Sequence, residues 1–269
     1  MPKNPFDMKS EKKRPAPQRP FYKSSIGQAE RGGEDEKRFV SWICNPANGC
    51  VPYEKPSFTE NVYWRIFRIM AEFIEGFEFL SKLHREVTFF GSARTSPDSP
   101  YYKLAHKLGK LCAESGYTVI TGGGPGIMEA GNKGAYDAGG ESVGLDIELP
   151  HEQRRNRFVT RAIGFHYFFT RKVMLSASAQ AYVFFPGGFG TLDEATEMIA
   201  LIQTGKTPQD IPCIFMGRDF WEPFIKWIKE TLYEKNAYIA EKDMNIMRVV
   251  DTPEEALEII KATAERELN

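Results

Sequence analysis

Residues 181–194, Ala181-Tyr-Val-Phe-Phe-Pro-Gly-Gly-Phe-Gly-Thr-Leu-Asp-Glu194, do most to restrict what this chain can fold into. Tyr182, Val183, Phe184 and Phe185 form an unbroken apolar run of β-favouring side chains, the pattern of a strand buried on both faces. Pro186 ends that strand. Gly187, Gly188 and Gly190 then let the backbone turn tightly and come close to a ligand. Thr191 is expected to open a helix, with Glu194 three residues further on. A strand, a glycine turn and a helix N-terminus bring unpaired N–H groups and the positive helix end to one place. The anion that suits such a place best is phosphate.

The rest of the chain repeats this unit. Strands are expected at 87–90, 117–121, 142–149, 165–169, 211–216 and 248–250, alternating with helices at 101–115, 127–138, 170–178, 192–203, 220–232 and from Thr252 onward. The last helix has Thr252 and Glu255 as a capping box and Pro253 at its first position. Such alternation implies an α/β, Rossmann-like doubly wound parallel sheet with helices on both faces. Ahead of it, a helix at 59–84 carries Ile66, Met70, Phe73, Phe77 and Leu80 at three- and four-residue spacings. That face is expected to pack on the sheet, the alternative being a partner-binding helix. Residues 1–39 are rich in Lys, Arg, Pro, Glu and Gly and are expected to be disordered; 39–56 read as an irregular strap. The chain therefore divides into an N-terminal extension, 1–57, and a nucleotide-binding domain, 58–269.

A second glycine turn, Gly122-Gly-Gly-Pro-Gly126, follows the strand at 117–121. In a doubly wound sheet both turns gather at the carboxyl ends of the strands, where ligands bind. The turn lacks the dinucleotide spacing, because Ile127 stands where the third glycine belongs. Gly205-Lys206-Thr207 resembles the end of a P-loop, but Ala200 occupies the place of its first glycine. Both findings disfavour NAD binding and P-loop ATP hydrolysis.

Several charged residues lie near these turns. Thr191 and Glu194 match a capping box, so Glu194 is either a cap or a ligand-facing acid. Arg171 and Lys172 sit near a helix start, where cations oppose the helix dipole by about 0.3–1 kcal/mol each. Either acidic partners or a bound phosphate must resolve that conflict. Glu148, at the end of the 142–149 strand, is either a ligand-edge carboxylate or a solvated one. Glu129 reads as a first-turn helix acid and His166 as a satisfied sheet-edge histidine.

Composition narrows the class. With 269 residues, 42% of them hydrophobic, the chain can bury a full α/β core. A net charge of -1 gives no electrostatic footprint for nucleic acid. No apolar run reaches the roughly 18 residues of a membrane span, so a soluble cytoplasmic protein is expected. Cys112 and Cys213 read as buried thiols; Cys44 and Cys50 lack the matching second pair of a zinc site.

Gly122-Gly-Gly-Pro-Gly-Ile-Met-Glu-Ala130, the Arg171-Lys172 pair and Pro186-Gly-Gly-Phe-Gly-Thr-Leu-Asp-Glu194 together resemble the LOG (Lonely Guy) family, whose signature is PGGxGTxxE preceded by Arg-Lys. The resemblance runs from about Val87 to the end of the chain. It implies a Rossmann-like homodimer that cleaves the N-glycosidic bond of nucleoside 5'-monophosphates. Plant-type members release cytokinin bases, and others act as general nucleotide nucleosidases. The same resemblance implies Arg171 and Glu194 as the catalytic pair. Gly122, Gly123, Gly124, Gly126, Glu148, Lys172, Gly187, Gly188, Gly190 and Thr191 are the expected substrate and phosphate contacts. The scheme needs neither metal nor cofactor. Members have also been labelled lysine decarboxylase, but no lysine here stands out as a pyridoxal-phosphate site.

The expected substrate is AMP or an N6-modified AMP. The rival reading is a nucleotide- or cofactor-binding carrier on the same fold, similar to molybdenum-cofactor carrier proteins; it would keep the phosphate turns without needing Glu194. The helix at 192–203 bears Ala195, Met198, Ile199, Leu201 and Ile202 on more than one face. Either the 59–84 helix covers the excess, or a second copy does. On the dimer reading, Met198 and Ile202 lie at the interface.

Overall fold

A computed structural model gives the fold and describes residues 41–45, 49–53, 62–148 and 155–265. The chain forms two compact units, Met1–Arg65 and Ile66–Asn269. Within the first, β1 (Ser41–Asn45) and β2 (Gly49–Tyr53) pair antiparallel, with Cys44 and Cys50 as backbone partners. Residues 41–45 and 49–53 are thus regularly paired strands, where an irregular strap was expected. The expectation for residues 1–39 and the side chains of Cys44 and Cys50 lie outside the described residues.

The second unit holds the sheet. Its seven strands are β3 (Glu86–Phe90), β4 (Thr118–Thr121), β5 (Ser142–Ile147), β6 (Arg161–Phe165), β7 (Ala181–Phe184), β8 (Cys213–Met216) and β9 (Met247–Val250). They lie in the order β6-β5-β4-β3-β7-β8-β9, and every pair is parallel. This is the doubly wound α/β sheet that the alternation predicts. The chain builds outward from β3 to β6, returns to β7, and builds outward again to β9. The strand order therefore reverses between β3 and β7, where open α/β sheets leave a crevice.

The α-helices among the described residues are α1 (Val62–Leu80), α2 (Pro100–Glu114), α3 (Ile127–Asp137), α4 (Phe168–Ala177), α5 (Phe189–Gln203), α6 (Arg218–Trp227) and α7 (Pro253–Lys261). A π-helical stretch, Ile228–Lys235, continues α6. Burial explains the strand sequences: β3, β4, β7 and β8 are buried at every position, so both faces must be apolar or internally bonded. One core joins the sheet to α4, α5 and α6 through Met174, Leu175, Met198, Ile202 and Trp221. The other joins it to α2, α3 and α7 through Leu108, Ile127, Ala135 and Ile260. Cys112 and Cys213 are free and buried, and burial pushes both thiols up to about 12.

Two expectations about helix faces change. Met198 and Ile202 are 0% and 2% exposed within the chain's own core, so neither is available to a second copy. On α1, Leu80 is buried and Phe73 packs on the core, but Ile66, Met70 and Phe77 are exposed. The expected stripe is therefore split between core and surface. The strand expected at 165–169 lies earlier, at Arg161–Phe165, because α4 starts at Phe168. Among the described residues no helix is long and apolar enough to cross a membrane.

Candidate active site

The strand-end loops meet above the reversal point. Ser92, just beyond β3, donates its N–H to the Pro186 carbonyl at 3.1 Å and accepts from the Ile127 N–H at 3.1 Å. The loops after β3, β4 and β7 are thereby tied together. Two glycines make this possible. Gly126 has φ 70°, and a Cβ there would lie 2.3 Å from the Ser92 carbonyl oxygen. A Cβ on Gly187 would lie 2.1 Å from Thr191 Oγ1.

The first glycine turn is held from below by buried polar side chains. Asn156 is 7% exposed; its Nδ2 donates to the carbonyls of Gly123 and Gly124 at 3.1 and 3.0 Å and to Asn132 Oδ1 at 2.9 Å. Thr121 Oγ1 accepts from the Gly123 N–H and donates to Asn132 Oδ1. A buried network satisfied in this way fixes one backbone geometry.

α5 starts three residues earlier than the capping reading expects. Gly188, not Thr191, is its N-cap, and no side chain caps it. The N–H groups of Phe189 and Gly190, first in α5, have no carbonyl partner within the helix. A Cβ on Gly188 or Gly190 would meet nothing within 4 Å. Glu194 therefore lies inside the helix, and its capping role is ruled out. It is 8% exposed, and its Oε2 has no hydrogen-bond partner. Burial is the main reason its carboxyl is pushed up to about 7; Glu197 and Asp193 add to the rise, and Lys172 and Arg171 oppose it.

α4 carries Arg171 and Lys172. Glu72 of α1 caps the start of this helix, accepting from the N–H groups of His166 and Tyr167 at 2.9 and 3.3 Å. This carboxylate offsets the helix dipole. Lys172 is already paired: its Nζ donates to Asp193 Oδ2 at 2.5 Å and lies 3.4 Å from Glu197 Oε2. Burial pulls the Lys172 ammonium down, but Asp193 and its neighbours outweigh that and leave it above its ordinary value. The acidic partners that the structural reading requires are thus present for Lys172. Arg171 differs. Its Nε is buried without a hydrogen-bond partner, and its guanidinium lies 5.4 Å from the Phe168 ring centre. Burial lowers its pKa, against the opposing charges of Glu194 and Asp146.

These groups line a cavity of about 770 Å³. Of the sequence-predicted residues, Gly122, Arg171, Lys172, Gly188, Gly190, Thr191 and Glu194 border it. Gly123, Gly124, Gly126 and Gly187 do not line it; they shape the loops around it. Glu148 is outside as well: it is exposed and pairs with His166 at 3.6 Å. Glu129, the first-turn acid of α3, accepts from the Tyr102 hydroxyl at 2.9 Å. Sequence reasoning missed Ser92 and Arg94 on the loop after β3, and the apolar wall of Phe90, Met128, Phe168 and Phe169. Gly91, directly after a buried strand, was the available signal for that loop.

The family model described as "Possible lysine decarboxylase" matches residues 128–260, which hold both motifs from Arg171 to Glu194. The rice (Oryza sativa subsp. japonica) cytokinin riboside 5'-monophosphate phosphoribohydrolase LOG is 29% identical over 180 residues, 65% of this chain and 72% of that protein. The chain is similar to the LOG family along the segment that carries both motifs. A cytokinin riboside 5'-monophosphate phosphoribohydrolase of Rhodococcoides fascians is 26% identical, over 56% of this chain and 77% of that one. The solved structure of TM1055, a structural-genomics target, aligns with a TM-score of 0.50 and 28% identity, covering 66% of this chain and 98% of that one. All the residues discussed above as lining the cavity lie in this LOG-type fold.

Proposed function

We propose that this protein hydrolyses the N-glycosidic bond of nucleoside 5'-monophosphates, AMP or an N6-modified AMP, giving the free base and ribose 5-phosphate. The observation that carries the reading is that Arg171 and Glu194 border one cavity, each with a buried polar atom that has no hydrogen-bond partner. Cleavage passes through an oxocarbenium-like state, which needs an anion facing the sugar and an activated water. Glu194 supplies both: ionised, it faces the developing positive charge and takes a proton from water. A carboxyl poised near 7 is matched to that task at neutral pH. Arg171 positions the substrate. The unpaired N–H groups at the start of α5, with Thr191, Gly188 and Gly190, hold the 5'-phosphate.

A decarboxylase reading finds no support in Lys172. A Schiff-base lysine needs its amine pKa lowered, and here acidic neighbours raise it. We also propose a homodimer with the site close to the interface. Phe168, Phe169 and Val173 on α4 and Phe189 on α5 are 60, 45, 39 and 91% exposed beside the cavity, an apolar rim that suits burial by a second copy.

The test is incubation with a panel of nucleoside monophosphates, with chromatography for free base and ribose 5-phosphate. Release of adenine or an N6-modified adenine is expected. Tight nucleotide binding without release would overturn the enzyme reading in favour of a carrier.

A further inference from the structure

Glu197 lies one turn beyond Glu194 on α5, outside the roles assigned so far. Lys172 reaches across from α4 to both sides of it: Nζ is 2.5 Å from Asp193 Oδ2 and 3.4 Å from Glu197 Oε2. The side chains of Lys172 and Glu197 are only 25% and 27% exposed, whereas Asp193 is 63% exposed. The Lys172–Glu197 pair is therefore the screened part of the cluster, where charge acts most strongly. Glu197 Oε2 and Glu194 Oε2 are both buried, and the two side chains act on each other directly as well as through Lys172. Two carboxylates thus share one ammonium and a low-dielectric wall, and they cannot ionise independently.

We infer that Glu197 is a positioning residue: its ion pair with Lys172 across α4 and α5 sets the proton affinity of Glu194 and keeps the Lys172 ammonium off the substrate phosphate. The inference rests on the proposed hydrolase chemistry for its consequence, not for its geometry. The charged groups around Glu194 are Asp193 and Glu197 on its own helix, Lys172 and Arg171 on α4, and Arg94 on the loop after β3; Asp146 at the end of β5 acts through Arg171. Of these, Lys172 lowers and Glu197 raises the Glu194 carboxyl. Removing either one therefore shifts Glu194 in opposite directions.

The experiment is a ¹³C-carboxyl NMR titration of full-length protein, with the Glu194 signal assigned by its loss in Glu194→Gln. The wild-type midpoint is expected near 7. Glu197→Gln should lower it by about one unit, and Lys172→Met should raise it by about one unit. With AMP as substrate, the acid limb of kcat/KM should move the same way in each variant, while KM for Lys172→Met stays within about threefold of wild type. A merely structural role would lower kcat without moving the limb. Unmoved midpoints in variants with wild-type melting curves overturn the inference. So does a large rise in KM for Lys172→Met, which would place that ammonium on phosphate. If one variant does not fold, the opposite shift in the other decides. If the midpoints move as stated but no nucleotide is hydrolysed, the ion-pair role stands and the hydrolase reading falls.

Discussion

Glu194 shows how one residue's surroundings select between two roles that its sequence context allows. Thr191-x-x-Glu194 spells a capping box, but α5 begins at Phe189, so the carboxylate has no cap N–H to bond and is left buried. Its raised carboxyl makes a signed prediction. The folded state holds the proton up to about 7, against an ordinary value of 4.5. The stability linked to that protonated carboxyl is full below the unfolded value and is lost as pH rises through the folded one. Glu194→Gln removes this linkage. Relative to wild type, the variant should gain stability between pH 5 and pH 8, by on the order of 2 kcal/mol, measured by denaturant unfolding at both pH values. Turnover should fall by a factor of about 10²–10⁴. Near-normal turnover in the variant would remove Glu194 from the reaction.

Elements place these residues. α4 depends on a cap that lies far away in sequence, Glu72 on α1, which is why its start and the strand before it were misjudged from local pattern. The first glycine turn depends on Asn156, which enters from the segment before β6 and bonds two turn carbonyls. Asn156→Ala would leave those carbonyls and Asn132 Oδ1 short of a buried donor. The expected cost is about 1–3 kcal/mol, seen as a lower unfolding midpoint, with weaker nucleotide binding because the turn loosens. An unchanged midpoint would show that the network is dispensable. α5 carries the site on one side and the core on the other. Met198→Glu would bury an unpaired charge at a 0% exposed position and should abolish soluble folded protein rather than simply split a dimer. A folded monomeric variant would contradict this.

At the scale of the whole molecule, among the described residues, an apolar surface that the chain's own core does not account for lies on α1. Phe67, Met70, Ile74 and Phe77 recur at helical spacing and are 58, 51, 64 and 43% exposed. An apolar stripe of this kind on a folded domain marks an interaction surface. With the rim of Phe168, Phe169 and Phe189 it gives the dimer proposal a concrete form. A two-fold interface repeats one patch on both subunits, so each charged substitution enters twice. Sedimentation at micromolar concentration should show a dimer for the wild type and a monomer for the Phe67→Glu, Met70→Glu double variant, with wild-type near-ultraviolet circular dichroism. A wild-type monomer that hydrolyses AMP would overturn it.

Sequence alone determined the parallel α/β sheet and both glycine turns, for local reasons, whereas the Arg171–Glu194 pair came only from the family resemblance. Runs such as Tyr182–Phe185 have only one way to be buried, and glycines next to a strand end announce a close approach whatever surrounds them. Capping at Thr252 and Glu255 is equally local and forms as spelled, with the Glu255 N–H 3.3 Å from Thr252 Oγ1. Tertiary structure alone decided where α5 starts, which face of α1 is free, and that Lys172 is bound to Asp193 and Glu197. It also separated Glu148, at a strand end but turned to solvent, from Ser92 and Arg94, which reach the cavity from the loop after β3. Each of these depends on which strand ends become neighbours where the sheet order reverses, and on charges brought together from α4 and α5. Spacing along the chain records neither.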